Sequence, residues 1–87
     1  MSKSVEEIKW QCRRGLWELD IILYEFAEKN YLKLAEDQKI CFQELIANED
    51  VDLLSWLVSR EAGRNEKEQI IINIVLQAHH ERMELQK

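Results

Sequence analysis

Proline is absent from this chain, and glycine occurs only twice, at Gly15 and Gly63. Sheets joined by tight turns, and loops that wrap nucleotide phosphates, depend on these residue types, so their scarcity argues against both structures. No segment shows the apolar-polar alternation that indicates a strand. The composition therefore favours helices joined by short polar turns.

Positive charge is also in short supply. Twelve basic residues stand against 17 acidic ones, which gives a net charge of −5 at pH 7. A protein that neutralises many phosphates usually carries a basic excess. The charge balance therefore argues against nucleic acid as the main partner, and against a helix-turn-helix DNA-binding protein in particular.

Long apolar stretches are missing too. No run approaches the roughly 20 residues that span a bilayer. The first residues lack the apolar core of a signal peptide, and Glu6 and Glu7 are atypical of a mitochondrial presequence. We therefore expect no membrane insertion and predict a cytosolic protein.

Few residues offer catalytic or metal-binding chemistry. Cys12 and Cys41 follow no signal peptide, so we expect reduced thiols packed as small apolar groups. His79 and His80 are adjacent, and on a helix they would point about 100° apart. His80 and Glu84 supply at most half a metal site. We therefore predict no metal site, no catalytic residue and no enzymatic activity.

Helical periodicity is what the sequence does contain. Its 87 residues allow one domain, 1–87, and its 46% hydrophobic and 33% charged fractions are typical of a folded protein. The apolar spacing predicts an all-α fold, a small bundle of about five helices. We expect helices at about 5–15, 17–30 and 36–47, a short fourth helix after Asp50 and a last one after Asn65, and we expect the polar tail, 81–87, to fray.

The first helix has signals at both ends. Ser4 with Glu7 predicts a capping box at its start. Gly15 is the residue best able to adopt a left-handed C-cap, so the helix should end near it. Arg13 and Arg14 would then lie in the last helical turn, where positive charge suits the helix dipole.

Later signals concern the other helices. Asp50 is expected to cap the fourth helix, and Asn65 with Glu68 resembles a capping box for the last one. The faces predicted to be buried are Leu19, Ile22, Leu23, Phe26 and Ala27 in the second helix, Cys41 or Phe42 with Leu45 and Ile46 in the third, and Ile71, Ile74, Val75 and Ala78 in the last.

One segment, from Trp10 to Asp20, carries more polar groups than a turn needs. It gathers two arginines, two acids, two tryptophans and Gly15. Arginine and tryptophan are common at binding hot spots, and a glycine lets a partner backbone approach closely. On these grounds alone, a docking patch and an ordinary helix turn stay equally open.

The same segment carries a recognisable pattern. Residues 14–18 match Arg-Gly-x-x-Glu, preceded by Trp-x-Cys-Arg-Arg-Gly from Trp10 and followed by Glu-Leu-Asp to Asp20. An Asp-Leu-x-x-Trp-Leu pattern follows at 52–57. Over about residues 8–75 the chain thereby resembles the succinate dehydrogenase flavinylation factors, the SdhE (YgfY-like) family.

This resemblance implies a five-helix assembly factor for the flavoprotein subunit of succinate dehydrogenase, and often of fumarate reductase. Such a factor promotes covalent attachment of FAD to that subunit and binds no cofactor tightly itself. We expect the chain to be a monomer. Carried over to this sequence, the resemblance implies that Arg14, Gly15 and Glu18 contact the partner and that Arg13 and Asp20 are neighbours of this contact.

Two other functions stay open at this stage. A regulatory interaction protein of the antitoxin-like type would use the same patch on a different partner. An FAD carrier would purify with a yellow cofactor, although the missing glycine-rich phosphate loop argues against it.

Overall fold

A computed structural model describes residues 4–85, in which five α-helices are joined by short connectors and no strand occurs. The all-α prediction is confirmed. A single 3₁₀ turn, Tyr31–Lys33, lies between the second and third helices. The helices are α1 (Val5–Gln11), α2 (Trp17–Lys29), α3 (Glu36–Ile46), α4 (Asp50–Leu57) and α5 (Glu66–Leu85).

Helix α2 lies at the centre of the bundle and contacts α1, α4 and α5, while α5 also packs against α3. The predicted stripe of α2 is fully confirmed, because all five of its residues are buried. In α3 the core residue is Phe42, whose ring lies 4.9 Å from that of Phe26, while Cys41 is only half-buried. In α5, Ile71 and Val75 are buried as predicted, whereas Ile74 and Ala78 are only half-buried and Ile72 is buried without having been predicted.

The start of α1 agrees with the sequence, but its end does not. The Ser4 hydroxyl accepts a hydrogen bond from the Glu7 amide at 3.3 Å, and the Ser4 amide donates to the Glu7 carboxylate at 3.2 Å. The helix then ends at Gln11 with Cys12 as its C-cap. The prediction that Gly15 caps this helix was wrong, because the chain leaves the helix to bury Cys12 and to place Arg14 against α3 and α4.

Two further caps differ from the prediction. Asp50 is the first residue of α4 rather than its cap, since Glu49 holds the capping position. The Glu68 amide donates to the Asn65 side chain at 2.9 Å, as a capping box requires. The Glu68 carboxylate, however, accepts from the Arg64 amide at 2.8 Å. Only half of this box therefore forms.

The C-terminal part of α5 is tied to α2. Arg82 donates to the Glu25 carboxylate at 3.2 Å and to the Asn30 side chain at 2.9 Å. The helix continues to Leu85, and residues 86–87 of the tail predicted to fray lie outside the described residues. Within 4–85, no helix is long and apolar enough to cross a membrane.

Both cysteines are free thiols, as predicted. Cys12 is completely buried, and this burial raises the pKa of its thiol from 9.0 to about 12. A thiol that stays protonated at neutral pH is a poor nucleophile. Cys12 therefore acts as a small apolar core residue.

Candidate partner-binding site

The connector between α1 and α2, together with the first turn of α2, brings together all five residues that the sequence singled out. We call residues 13–20 the motif turn. Helix α2 begins after Leu16 without a side-chain cap. The shape of the motif turn therefore depends on contacts that its other residues make.

Arg14 points into the protein. Its side chain is only 17% exposed. Its guanidinium donates to the carbonyl oxygens of Ile46 and Asn48, the latter at 3.1 Å, and to the carboxylate of Asp50 at 3.2 Å. Arginine suits this task because its planar fork can bond several oxygens at once. Arg14 thus fastens the motif turn to the corner between α3 and α4.

Asp20 holds the same turn from the other side. Its half-buried carboxylate accepts a hydrogen bond from the backbone amide of Arg14 at 2.8 Å. A charge-assisted bond of this length is stronger than a bond between neutral groups. Both the backbone and the side chain of Arg14 are therefore fixed.

Gly15 provides the bend and an open approach. Its φ of +76° lies in the left-handed region that other residues rarely adopt. A Cβ placed on Gly15 would have no heavy atom within 4 Å. The glycine is therefore required by backbone conformation and not by crowding inside the protein, and the space above it is open.

Glu18 and Arg13 point outward. The Glu18 side chain is exposed and has no ion pair or hydrogen bond with any residue between 4 and 85. The exposed Arg13 lies over the Tyr24 ring, with 4.8 Å between the guanidinium carbon and the ring centroid. Arg13, Gly15 and Glu18 therefore form the outward side of the motif turn, and Arg14 and Asp20 form its inward side.

Two tryptophans flank the outward side. Trp10 and Trp17 are each 76% exposed, although large aromatic side chains are normally buried in a folded domain. Tryptophan and arginine are the residue types most enriched at the centres of protein interfaces. The arrangement is typical of a surface that another protein covers.

A second set of residues supports the corner that holds Arg14, and no sequence pattern pointed to it. The Asn48 side chain accepts from Arg64 at 2.6 Å and donates to the carbonyl of Leu45 at 3.0 Å. Arg64 also pairs with Glu68 at 2.7 Å, and this hydrogen bond raises the pKa of Arg64 and lowers that of Glu68. Because Asn48 and Arg64 are 16 positions apart, no local pattern predicts their contact.

The remaining candidate ligands do not form a metal centre. Among the described residues, no three side chains of histidine, cysteine, aspartate or glutamate lie close enough to hold an ion. His80 and Glu84 pair at 3.1 Å on the exposed surface of α5, as their spacing suggested. Hydrogen bonding, charge and apolar contact are thus the chemistry that this surface offers.

Comparison with known proteins points to the same family as the motif. Residues 6–80 match the family described as "Flavinator of succinate dehydrogenase". An FAD assembly factor SdhE from Photorhabdus laumondii is 42% identical over 69 residues, covering 79% of this chain and 76% of that protein. A protein of the same name from Idiomarina loihiensis is 34% identical over 74 residues, covering 85% and 82%. This chain belongs to the succinate dehydrogenase flavinator family.

Proposed function

We propose that this protein binds the flavoprotein subunit of succinate dehydrogenase and promotes the covalent attachment of FAD to that subunit. One observation carries the proposal: Glu18 is exposed and unpaired at the end of a turn that Arg14 and Asp20 hold in shape. An ordinary exposed charge does not need a rigid backbone beneath it. A residue that binds a partner benefits from a fixed position, because less conformational entropy is lost on binding.

The helper supplies position and no reacting group. Holding two reactants in a competent geometry can remove a large part of a barrier without any catalytic side chain. The motif turn presents one carboxylate, one arginine and a glycine with open space above it. We propose that it holds the flavoprotein subunit in the arrangement in which the flavin bond forms, and that the reacting groups belong to the subunit and FAD.

Independent FAD binding is not part of this proposal. Pockets for drug-sized ligands enclose about 300–1,000 Å³. Two grooves on this small bundle have volumes of about 260 Å³ each, and its two glycines do not stand in a glycine-rich phosphate-binding pattern. We propose that the protein acts as a monomer on its partner, and that the related flavoprotein of fumarate reductase is a second client.

Co-expression with the flavoprotein subunit tests the proposal. Glu18→Ala should weaken binding by about thirtyfold, since truncating a hot-spot residue costs about 2 kcal/mol. Covalent flavin in the subunit, read by in-gel fluorescence, should fall with it. Glu44→Ala is the matched control, because Glu44 is also exposed and its carboxylate is unpaired within residues 4–85. Wild-type fluorescence with Glu18→Ala would remove the motif turn from the mechanism.

A further inference from the structure

A groove continues from the motif turn along the side of the bundle. It has a volume of about 260 Å³ and lies between α2, the end of α4 and α5. Trp17 and Glu18 line it from the first turn of α2, and Arg60 lines it from the connector that follows α4. Apolar side chains line it as well, among them Ile21, Val58 and Met83. The groove thus shares Glu18 with the proposed binding site.

Arg60 is unusual in its backbone conformation. Its φ is +62°, and it is the one non-glycine residue between 4 and 85 with a positive φ. A glycine would take this conformation without the steric cost that a Cβ imposes. Strained residues of this kind cluster at functional sites. The presence of arginine where glycine is favoured suggests that its side chain is used.

Arg60 is also a charge without a partner. Its side chain is exposed and makes no ion pair or hydrogen bond with the described residues. Glu18, which lines the same groove, is unpaired as well, and no ion pair joins the two. An unpaired cation beside apolar side chains favours a carboxylate at that point of the groove, although the chain as a whole carries a net charge of −5.

His79 adds a hydrogen-bonding group to the groove. Its Nδ1 atom is buried and has no hydrogen-bond partner in the described structure. Burial lowers the pKa of this imidazole, and the nearby charges of Arg82 and Arg60 lower it further. The neutral ring can both donate and accept a hydrogen bond. The groove therefore combines several apolar side chains with a few polar groups, as protein interfaces do.

We infer that this groove is a second part of the docking surface and binds a segment of the flavoprotein subunit in which a carboxylate stands beside an apolar side chain. The apolar group lies on Ile21, Val58 and Met83, and the carboxylate meets Arg60. This inference rests on the proposed function and extends it. A second copy of this acidic chain is a poorer occupant, since like charges oppose the association.

Binding of the purified chain to the flavoprotein subunit tests the inference at Arg60. Arg60→Gly removes the charge and relieves the backbone, so we expect an unchanged or higher melting temperature together with about tenfold weaker binding. Arg60→Lys keeps the charge and should retain most of the affinity. Binding of Arg60→Gly at wild-type strength would overturn the inference.

The apolar lining of the groove can be tested at Met83, and Ile70 on the same helix provides a matched control. Met83 is 45% exposed in the groove, and Ile70 is 52% exposed on a different groove, between α3 and α5. Met83→Glu should weaken binding about tenfold, whereas Ile70→Glu should leave it unchanged. Equal losses from both variants would overturn the inference, because they would indicate a general effect of surface charge.

A photo-crosslinking residue at Val58 identifies the occupant directly. We expect a cross-link to the flavoprotein subunit in cells that express both proteins. A cross-link only to a second copy of this chain, or none at all, would overturn the inference. If Glu18→Ala weakens binding while Arg60→Gly and Met83→Glu do not, the inference about the groove is wrong and the proposed function stands. If the wild-type chain does not bind the subunit, both fall.

Discussion

Arg13 and Arg14 are neighbours in the sequence, but their surroundings are opposite. Arg14 is largely buried and bonds two carbonyl oxygens and the Asp50 carboxylate. Arg13 is exposed and makes only a stacking contact with Tyr24. Loss of function at the two positions should therefore have different physical causes. The inward residue maintains the shape of the motif turn, and the outward residue is available to a partner.

The largest effect is expected at Arg14. Arg14→Ala leaves the Asp50 carboxylate and two carbonyl oxygens without their donor, so the free energy of unfolding should fall by about 3 kcal/mol. For a chain of this size, such a loss lowers the melting temperature by roughly 15 °C. Thermal unfolding followed by circular dichroism measures it.

Arg14→Lys is the control for charge. Lysine keeps the positive charge but lacks the planar fork, so it should recover only part of the lost stability. Flavinylation by Arg14→Ala should improve when the assay is cooled, since the defect lies in the fold. A melting temperature equal to that of the wild type would show that Arg14 does not brace the turn.

Alkaline pH should next test the packing around Cys12, the residue before the motif turn. Because the pKa of Cys12 is about 12 in the folded chain and 9.0 for an ordinary thiol, the unfolded chain loses this proton first. The stabilising contribution is complete below pH 9 and declines as the pH rises toward 12. Between pH 8 and pH 10 it should fall by about 1 kcal/mol.

Urea unfolding at both pH values measures this decline. Because other groups also titrate above pH 9, the reference is the change in the unfolding free energy of the Cys12→Ala variant between pH 8 and pH 10. The wild type should lose about 1 kcal/mol more than that variant over the interval. Equal losses of unfolding free energy in the wild type and in Cys12→Ala would mean that the thiol is open to solvent.

Two variants of Gly15 distinguish the effect of backbone conformation from the effect of partner contact. Gly15→Ala and Gly15→Arg both place a Cβ at a φ of +76°, which costs about 1 kcal/mol, and neither Cβ meets another atom. Their melting curves should therefore be similar. Only Gly15→Arg puts bulk where the partner approaches, so its covalent flavin signal should be much the lower. Equal signals from the two variants would argue that the turn conformation alone matters.

The sequence predicted best what depends on neighbouring residues. The stripe of α2 repeats with the helical period, and the Ser4–Glu7 box joins residues three apart, so both were confirmed. The end of α1 was mispredicted because Arg14 is drawn away by Asn48 and Asp50, which lie 34 and 36 positions further along. No local spacing contains that information.

The same limit applies to the candidate site. The five motif residues do meet in one turn, since eight consecutive positions hold them. Which of Arg13, Arg14 and Gly15 face inward was not predictable, because residues 13–16 lie outside any helix and have no period to assign faces. Arg60 was missed for a related reason, as only the folded chain brings it to the same groove as Glu18.

The smallest effect on stability is expected at Arg13. Its stacking contact with Tyr24 is exposed, and Arg13→Ala should change the free energy of unfolding by only about 0.5 kcal/mol. A charge at the edge of an interface acts chiefly on the association rate. Arg13→Ala should therefore slow association with the flavoprotein subunit several-fold at low salt, and the difference should shrink as salt is added.

Lys33→Ala removes the same charge far from the motif turn. Lys33 is exposed beyond the opposite end of α2, and its ammonium group has no ion pair with the described residues. The 13 residues of α2 span roughly 20 Å, more than a Debye length at physiological salt. Stopped-flow association rates for the two variants provide the comparison. Because both lose one positive charge, equal slowing would reflect net charge alone, whereas slowing confined to Arg13→Ala places the outward side of the motif turn at the interface.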